Sequence, residues 1–229
     1  MTQLRQPSGS APDVAGLSIG ILGGTGDEGR GLALRFAHVG HGVIIGSRSL
    51  ERACAAAAGL GAELGIRGME NAAAARAADI VIVAVPWEGH GALLASLATE
   101  LSGKIVVNCV NPLGFDARGA FALRVPEGSA AQQAAALLPE SRVVGAFHHV
   151  SAVLLLDPDV AEIDMDVLVL GDDRVATDLV QALAARIPGM RGIYAGRLRN
   201  CGQVEALTAN LVAVNRRYKA HAGVRVTDV

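Results

Sequence analysis

The sequence predicts an α/β fold: a doubly wound parallel sheet with a smaller, mainly helical C-terminal unit. Three observations carry this. Short apolar runs rich in β-branched residues alternate with helix-like segments. The runs are continuous rather than alternating, the pattern of strands covered on both faces. A glycine-rich turn joins the first run to the first helix, where such folds hold a nucleotide.

Taken in order, Ser18 to Leu22 reads as a strand and Asp27 to His38 as a helix. Val43 to Gly46 is a second strand, and Leu50 to Leu64 an alanine-rich helix. Ile80 to Val85, Ile105 to Asn108 and Val143 to Phe147 are further strands, separated by helices at Trp87 to Leu101 and Ser129 to Leu138. The alanine clusters at Ala55 to Ala58 and Ala72 to Ala75 favour helix. Beyond His149 the pattern changes. A strand is expected at Val167 to Leu170 and helices at Val175 to Arg186 and Gln203 to Lys219, with Asp172 and Asp173 in a turn between strand and helix. The division is a disordered tail over 1–17, a nucleotide-binding domain over 18–149 and a smaller domain over 150–229. The tail holds Pro7, Gly9, Pro12 and Gly16, and no apolar stretch of a secretory signal.

Composition narrows the function. A formal net charge of −2 offers nucleic acid no electrostatic footprint. No apolar run approaches the roughly 20 residues that span a bilayer. Cys54, Cys109 and Cys201 are far apart and odd in number, so neither a disulfide framework nor a metal site is expected, and a reducing cytoplasm is the default.

The strongest motif is Gly24-Thr25-Gly26-Asp27-Glu28-Gly29, a Gly-x-Gly-x-x-Gly placed between strand and helix. The first glycine permits the tight turn, the second lets backbone reach a pyrophosphate, and the third lets helix pack on strand. The helix start offers free N–H groups and a partial positive charge to phosphates. An ordinary glycine-rich turn is the other reading of the motif alone. Its placement favours a Rossmann-type dinucleotide site.

The choice of dinucleotide turns on the end of the second strand. An NAD site carries an Asp or Glu there, for the ribose 2′-hydroxyl. This chain has Gly46-Ser47-Arg48-Ser49-Leu50-Glu51-Arg52. No carboxylate stands at the strand end. Ser47 can donate a hydroxyl bond, Arg48 can pair with a 2′-phosphate, and Arg52 lies on the face of the following helix that Arg48 leads into. Exposed helix charges are the plainer account of the two arginines. The missing acid and the present cations together point to NADP(H).

At this point the residues closely resemble the F420-dependent NADP reductases. The resemblance rests on Gly23-Gly24-Thr25-Gly26, Gly31-Leu32-Ala33-Leu34-Arg35, Gly46-Ser47-Arg48 and Val85-Pro86-Trp87-Glu88. It continues through Val110-Asn111-Pro112-Leu113, Ala146-Phe147-His148-His149-Val150-Ser151-Ala152, Val204-Glu205-Ala206-Leu207-Thr208 and the tail Arg217 to Thr227. Two departures stand out: Gly89 separates Glu88 from His90, and Asp228 replaces an expected glycine. The resemblance implies hydride exchange between NADP(H) and the deazaflavin coenzyme F420, with no catalytic acid or base. It implies that Thr25, Ser47, Arg48 and Arg52 hold the phosphates and ribose, and that Pro86 and Trp87 flank the nicotinamide. Asn111, Pro112, His148, Val150, Ala152 and Leu207 would line the deazaflavin pocket. His148 is alternatively a strand-end histidine bonded to backbone, and His149 is expected to point the other way if the strand persists. Arg216, Arg217 and Lys219 could meet the acidic tail of the deazaflavin or simply face solvent.

Apolar Val204, Leu207, Leu211 and Val214 share one face of the last helix and are expected to close a homodimer. Two rivals accompany this reading. One is an NADPH-dependent reductase of a small imine or ferric substrate, which would need a proton donor. The other is a non-catalytic NADP(H)-sensing module.

Overall fold

The computed structural model describes residues 11–229. The first ten residues of the expected tail therefore lie outside the described residues. Of the rest, Val14 is buried.

Eight strands form one sheet in the order β10-β9-β8-β5-β4-β1-β2-β3. These are β1 (Ile19–Leu22), β2 (Val43–Ser47), β3 (Arg67–Glu70), β4 (Ile80–Val83), β5 (Ile105–Asn108), β8 (Arg142–Gly145), β9 (Met165–Gly171) and β10 (Met190–Gly196). All neighbours are parallel except β8 and β9. The segment after residue 149 thus continues the sheet with a reversed pair of strands. A separate antiparallel hairpin, β6 (Leu113–Asp116) and β7 (Gly119–Ala122), follows β5.

Alternation along the central strands divides the core in two. Ile19, Ile21, Val43, Ile45, Ile80, Ile82, Ile105 and Val107 join one buried cluster; Leu22, Ile44, Val81, Val83 and Val106 join the other. Successive side chains of a strand point to opposite faces, so each cluster is one face of the sheet under its helices. The helices are α1 (Asp27–His38), α2 (Leu50–Ala58), α3 (Asn71–Ala77), α4 (Trp87–Ser96), α5 (Ala98–Leu101), α6 (Ala130–Leu137), α7 (Ala152–Leu156), α8 (Arg174–Ala184) and α9 (Cys201–Tyr218).

Several boundaries differ from those read in the sequence. The helix expected to reach Leu64 stops at Ala58, because Gly59 ends it and Gly61 takes φ +115°. The helix expected over Trp87 to Leu101 breaks at Leu97 into α4 and α5. The strand expected to reach Phe147 stops at Gly145. Phe147 takes φ +63°, a left-handed conformation that costs an ordinary residue roughly 1–2 kcal/mol. The chain turns there, and Val150 N–H bonds back to the Phe147 carbonyl. Asp173 caps α8 by accepting from Ala176 N–H at 2.8 Å.

Candidate functional site

The strand order switches direction around β1, which lies between β4 and β2. Ligands of such sheets sit at the carboxyl ends of the strands at this point. A cleft of about 880 Å³ opens there. Its wall is made by Gly23, Thr25 and Gly26 after β1, by Ser47, Arg48 and Arg52 after β2, and by Ala84, Val85 and Pro86 after β4.

The glycines of the loop divide their work as the motif predicts. A Cβ on Gly24 would meet the Ile21 carbonyl oxygen at 2.7 Å, so the turn there excludes any side chain. A Cβ on Gly29 would meet Gly24 Cα at 2.6 Å, so α1 is pressed on the loop. A Cβ on Gly26 would meet nothing, which leaves its backbone open to a ligand. Arg30 N–H donates the first bond of the helix, to the Gly26 carbonyl at 2.9 Å. The amides before it have no acceptor within the helix and suit an anion.

Asn71 steadies this loop, and the sequence reading missed it. It is buried at the start of α3, and its Oδ1 accepts from Gly23 N–H at 3.4 Å. Gly46 makes room for it: a Cβ there would stand 2.8 Å from Asn71 Oδ1. At the end of β2 the buried Ser47 hydroxyl accepts from Ser49 N–H at 3.3 Å, and Ser49 caps α2. Arg48 and Arg52 are exposed beside it. Two cations thus stand at the strand end that an NAD site would give to an acid.

Trp87 does not line the cleft. It is half-buried and stacks on His90 with ring centroids 5.5 Å apart. His90 is wholly buried between Gln133 Oε1 at 3.0 Å and Asn108 Nδ2 at 2.6 Å. The bonds imply that Nδ1–H donates to Gln133 and Nε2 accepts from Asn108, and burial lowers the pKa of the ring. Asn108 Oδ1 in turn accepts from Val110 N–H at 3.0 Å. His90, one residue later than the resemblance anticipates, therefore shapes the chain entering Asn111 and Pro112.

Asn111, His148 and α9 meet beyond β5 and β8. The His148 carbonyl accepts from Asn111 Nδ2 at 2.9 Å and from Thr208 Oγ1 at 3.1 Å. Leu207 neighbours Thr208 on α9, and both are half-buried. His148 and His149 do not alternate across a strand, because the chain has turned at Phe147. Both are buried. His149 Nε2 pairs with the Val204 carbonyl at 3.0 Å. Neither ring nitrogen of His148 meets a partner among the described residues, and burial pushes its pKa down to about 3. Val150 is buried beside it, and Ala152 opens α7.

Two long-range ties hold these pieces in place. Arg35 reaches from α1 to four carbonyls around α7: Leu154 and Val160 at 2.6 Å, Leu155 at 2.8 Å and Asp157 at 3.0 Å. Glu205 of α9 is buried at the start of α6, where it accepts from Ala130 N–H at 2.8 Å and Ala131 N–H at 3.1 Å. Sequence reading assigned neither tie. Glu205 could have been suspected as an acid amid the apolar positions of an amphipathic helix.

Residues 18–112 match the family model described as NADP oxidoreductase, coenzyme F420-dependent. The chain is 38% identical over 223 residues to the F420-dependent NADP reductase of Methanothermobacter marburgensis, covering 93% of this chain and 99% of that one. It is 41% identical over 223 residues to the enzyme of the same name from Methanocaldococcus jannaschii, with the same coverage. A solved structure, titled a putative F420-dependent NADP reductase from Arthrobacter sp. FB24, superposes with a TM-score of 0.80 at 28% identity, over 93% of this chain and all of that one. Fold, cleft and likeness along nearly the whole chain agree: the chain belongs to the F420-dependent NADP reductase family.

Proposed function

We propose that this chain transfers hydride reversibly between NADP(H) and coenzyme F420. The observation that carries the proposal is the cleft, where the open backbone of Gly26, the amides heading α1 and two cations after β2 suit a 2′-phosphorylated dinucleotide. Gly24, Thr25, Gly26, Asp27, Glu28 and Gly29 would form the pyrophosphate loop. Ser47, Arg48 and Arg52 would hold the 2′-phosphate, and Pro86 would border the nicotinamide half. Trp87 would act one layer behind, through His90. The deazaflavin would lie over Asn111, Pro112, His148, Val150, Ala152 and Leu207.

When both cofactors are bound, they supply the hydride chemistry themselves. The chain's residues hold the rings together and exclude water. His148 is kept neutral by burial, so it has no proton to give as an imidazolium at neutral pH. Its burial, with its carbonyl held by Asn111 and Thr208, supports a positioning role.

The residues 150–229 contribute to the second pocket and, we further propose, to a homodimer interface. Of the face expected to close the dimer, Val204 is buried in the chain's own core, Leu207 and Leu211 are half-buried and Val214 is exposed; Tyr218 of α9 is exposed too, as are Phe115 and Phe121 of the hairpin that α9 packs against. An apolar patch of this kind marks an association surface. Three free cysteines are compatible with a reducing cytoplasm.

Cofactor binding tests the first half of the proposal. Arg48→Ala should weaken NADPH by about ten- to a hundredfold, the loss of a hydrogen bond to a charged group. NADH should bind nearly as before. Equal losses for both would sink the assignment.

A further inference from the structure

Glu28 belongs to the proposed pyrophosphate loop and carries a buried carboxyl oxygen. It stands in the first turn of α1, between Gly26 and Gly29. The residue is half-buried, but its Oε1 is sealed from solvent and meets no hydrogen-bond partner among the described residues. A carboxyl buried in this way is costly unless something pairs with it.

Its neighbours define where it points. Gly31 lies three residues on, along the same helix face. A Cβ there would meet Leu155 Cβ at 2.5 Å, so this face of α1 is turned to α7. The thiol of Cys109, just past β5, is pushed up first by burial and then by the nearby Glu28 carboxyl. That thiol already donates to the Val83 carbonyl at 3.0 Å, so Cys109 is not the missing partner. Glu28 therefore stands between the nucleotide loop and α7, which opens at Ala152. A hydride donor in the first pocket and an acceptor in the second would have to meet there.

Burial pushes the Glu28 carboxyl up to about 8. At neutral pH it is mainly the neutral acid, with one O–H donor and one carbonyl acceptor side by side. A neutral acid also avoids placing a charge beside a pyrophosphate at the head of α1. Arg48 and Arg52 line the cleft after β2, on the other side of β1 from β5 and Cys109. The ring at the near end carries a carboxamide, whose N–H and C=O are complementary to that acid.

We infer that Glu28 binds the nicotinamide carboxamide, accepting from its N–H and donating to its oxygen, and so sets the edge that the ring presents to the second pocket. The inference rests on the NADP(H) reading and deepens it. Glu28 is on this account a positioning residue, and turnover alone does not test it.

Binding calorimetry without F420 does. Three ligands are compared: NADP⁺, its 3-acetylpyridine analogue, which lacks the amide N–H, and 2′-phospho-ADP-ribose, which lacks the ring. Wild type should bind the analogue about three- to tenfold more weakly than NADP⁺. Glu28→Gln keeps a carbonyl acceptor and should keep the discrimination. Glu28→Leu should bind the two alike. The ringless fragment should bind all three proteins equally, which also shows that the variants fold. Undiminished discrimination in Glu28→Leu, or none in wild type, would overturn the inference and leave the NADP(H) reading intact. A fragment that failed to bind wild type would overturn that reading itself.

Discussion

Replacing Arg35 by methionine should destabilise the protein and disturb the proposed F420 pocket before the cleft. Arg35 is buried, and its guanidinium donates four bonds of 2.6–3.0 Å to carbonyls in and after α7. Methionine keeps most of the aliphatic stem, so the change isolates the lost donors. Adding four charge-assisted bonds at face value would overshoot, because the buried guanidinium has also given up its hydration. Removing one side of such a buried arrangement costs about 3–5 kcal/mol. For a chain of this size each kcal/mol lowers the melting temperature by roughly 2–4 °C, so a fall of about 6–20 °C is expected. The carbonyls left behind belong to the segment that follows Val150 and Ala152. The half-saturating concentration of F420 should therefore rise, while NADPH affinity stays within about twofold of wild type, because the nucleotide loop keeps its own contacts. Thermal unfolding and NADPH titration below the transition check both parts. A melting temperature within 2 °C of wild type would refute the view that Arg35 ties α1 to α7, on the same magnitudes.

Four further outcomes follow from the same geometry. His148→Ala should raise the half-saturating concentration of F420 and lower the maximal rate by less than about tenfold, against the 10²–10⁴-fold expected for a general acid. Because His148 stays neutral down to about pH 3, the wild-type rate should show no step through the ordinary histidine range that this residue causes; a step that vanished in His148→Ala would count against this. Glu205 titrates in the fold at about 7 instead of its ordinary 4.5, chiefly through burial, so the folded state holds the extra proton between those values. Its contribution is fully present below pH 4.5 and is lost as pH rises toward 7, at about 1.4 kcal/mol per pH unit at most. Glu205→Gln should flatten this slope in denaturant unfolding between pH 5 and 8, and parallel slopes would argue otherwise. Light scattering at micromolar concentration should give twice the chain mass, and a strictly monomeric mass would remove the dimer.

The central strands were legible because both faces are covered. Residues such as Ile80 to Val83 carry no polar side chain, and nothing but a buried strand suits so short a run. The edges were not. β3 reads Arg-Gly-Met-Glu and pairs only with β2, so exposure leaves no apolar signal. β10 sits at the other edge and is mostly half-exposed. The hairpin did leave a sign: Asp116 Oδ1 accepts from Arg118 N–H at 2.7 Å and Gly119 N–H at 3.2 Å, a turn that Asp-Ala-Arg-Gly encodes locally.

In the site, the loop glycines fall within one six-residue run, Gly24 to Gly29, and the cations after β2 within another of five, Arg48 to Arg52, so local spacing exposes each. Asn71, Arg35 and Glu205 act across 48, about 120 and about 75 residues of sequence, and only the folded chain brings each to its partner. Trp87 was expected beside the nicotinamide, and it stacks instead on the buried His90. One inserted glycine, Gly89, accompanies its position inside the wall, against Asn108 and Gln133. Phe147 hid the turn that brings both histidines inward, because a left-handed aromatic residue has no signature in sequence.

The most direct measurement mixes the purified protein with NADPH and oxidised F420 and follows the deazaflavin absorbance. The account predicts loss of the oxidised deazaflavin band matched mole for mole by NADPH consumption, and its recovery when reduced F420 meets NADP⁺. With NADH in place of NADPH the rate at low cofactor should fall by at least about tenfold, the same phosphate contribution lost. NADPH that binds tightly while the deazaflavin band stays unchanged in both directions would contradict hydride exchange between the two.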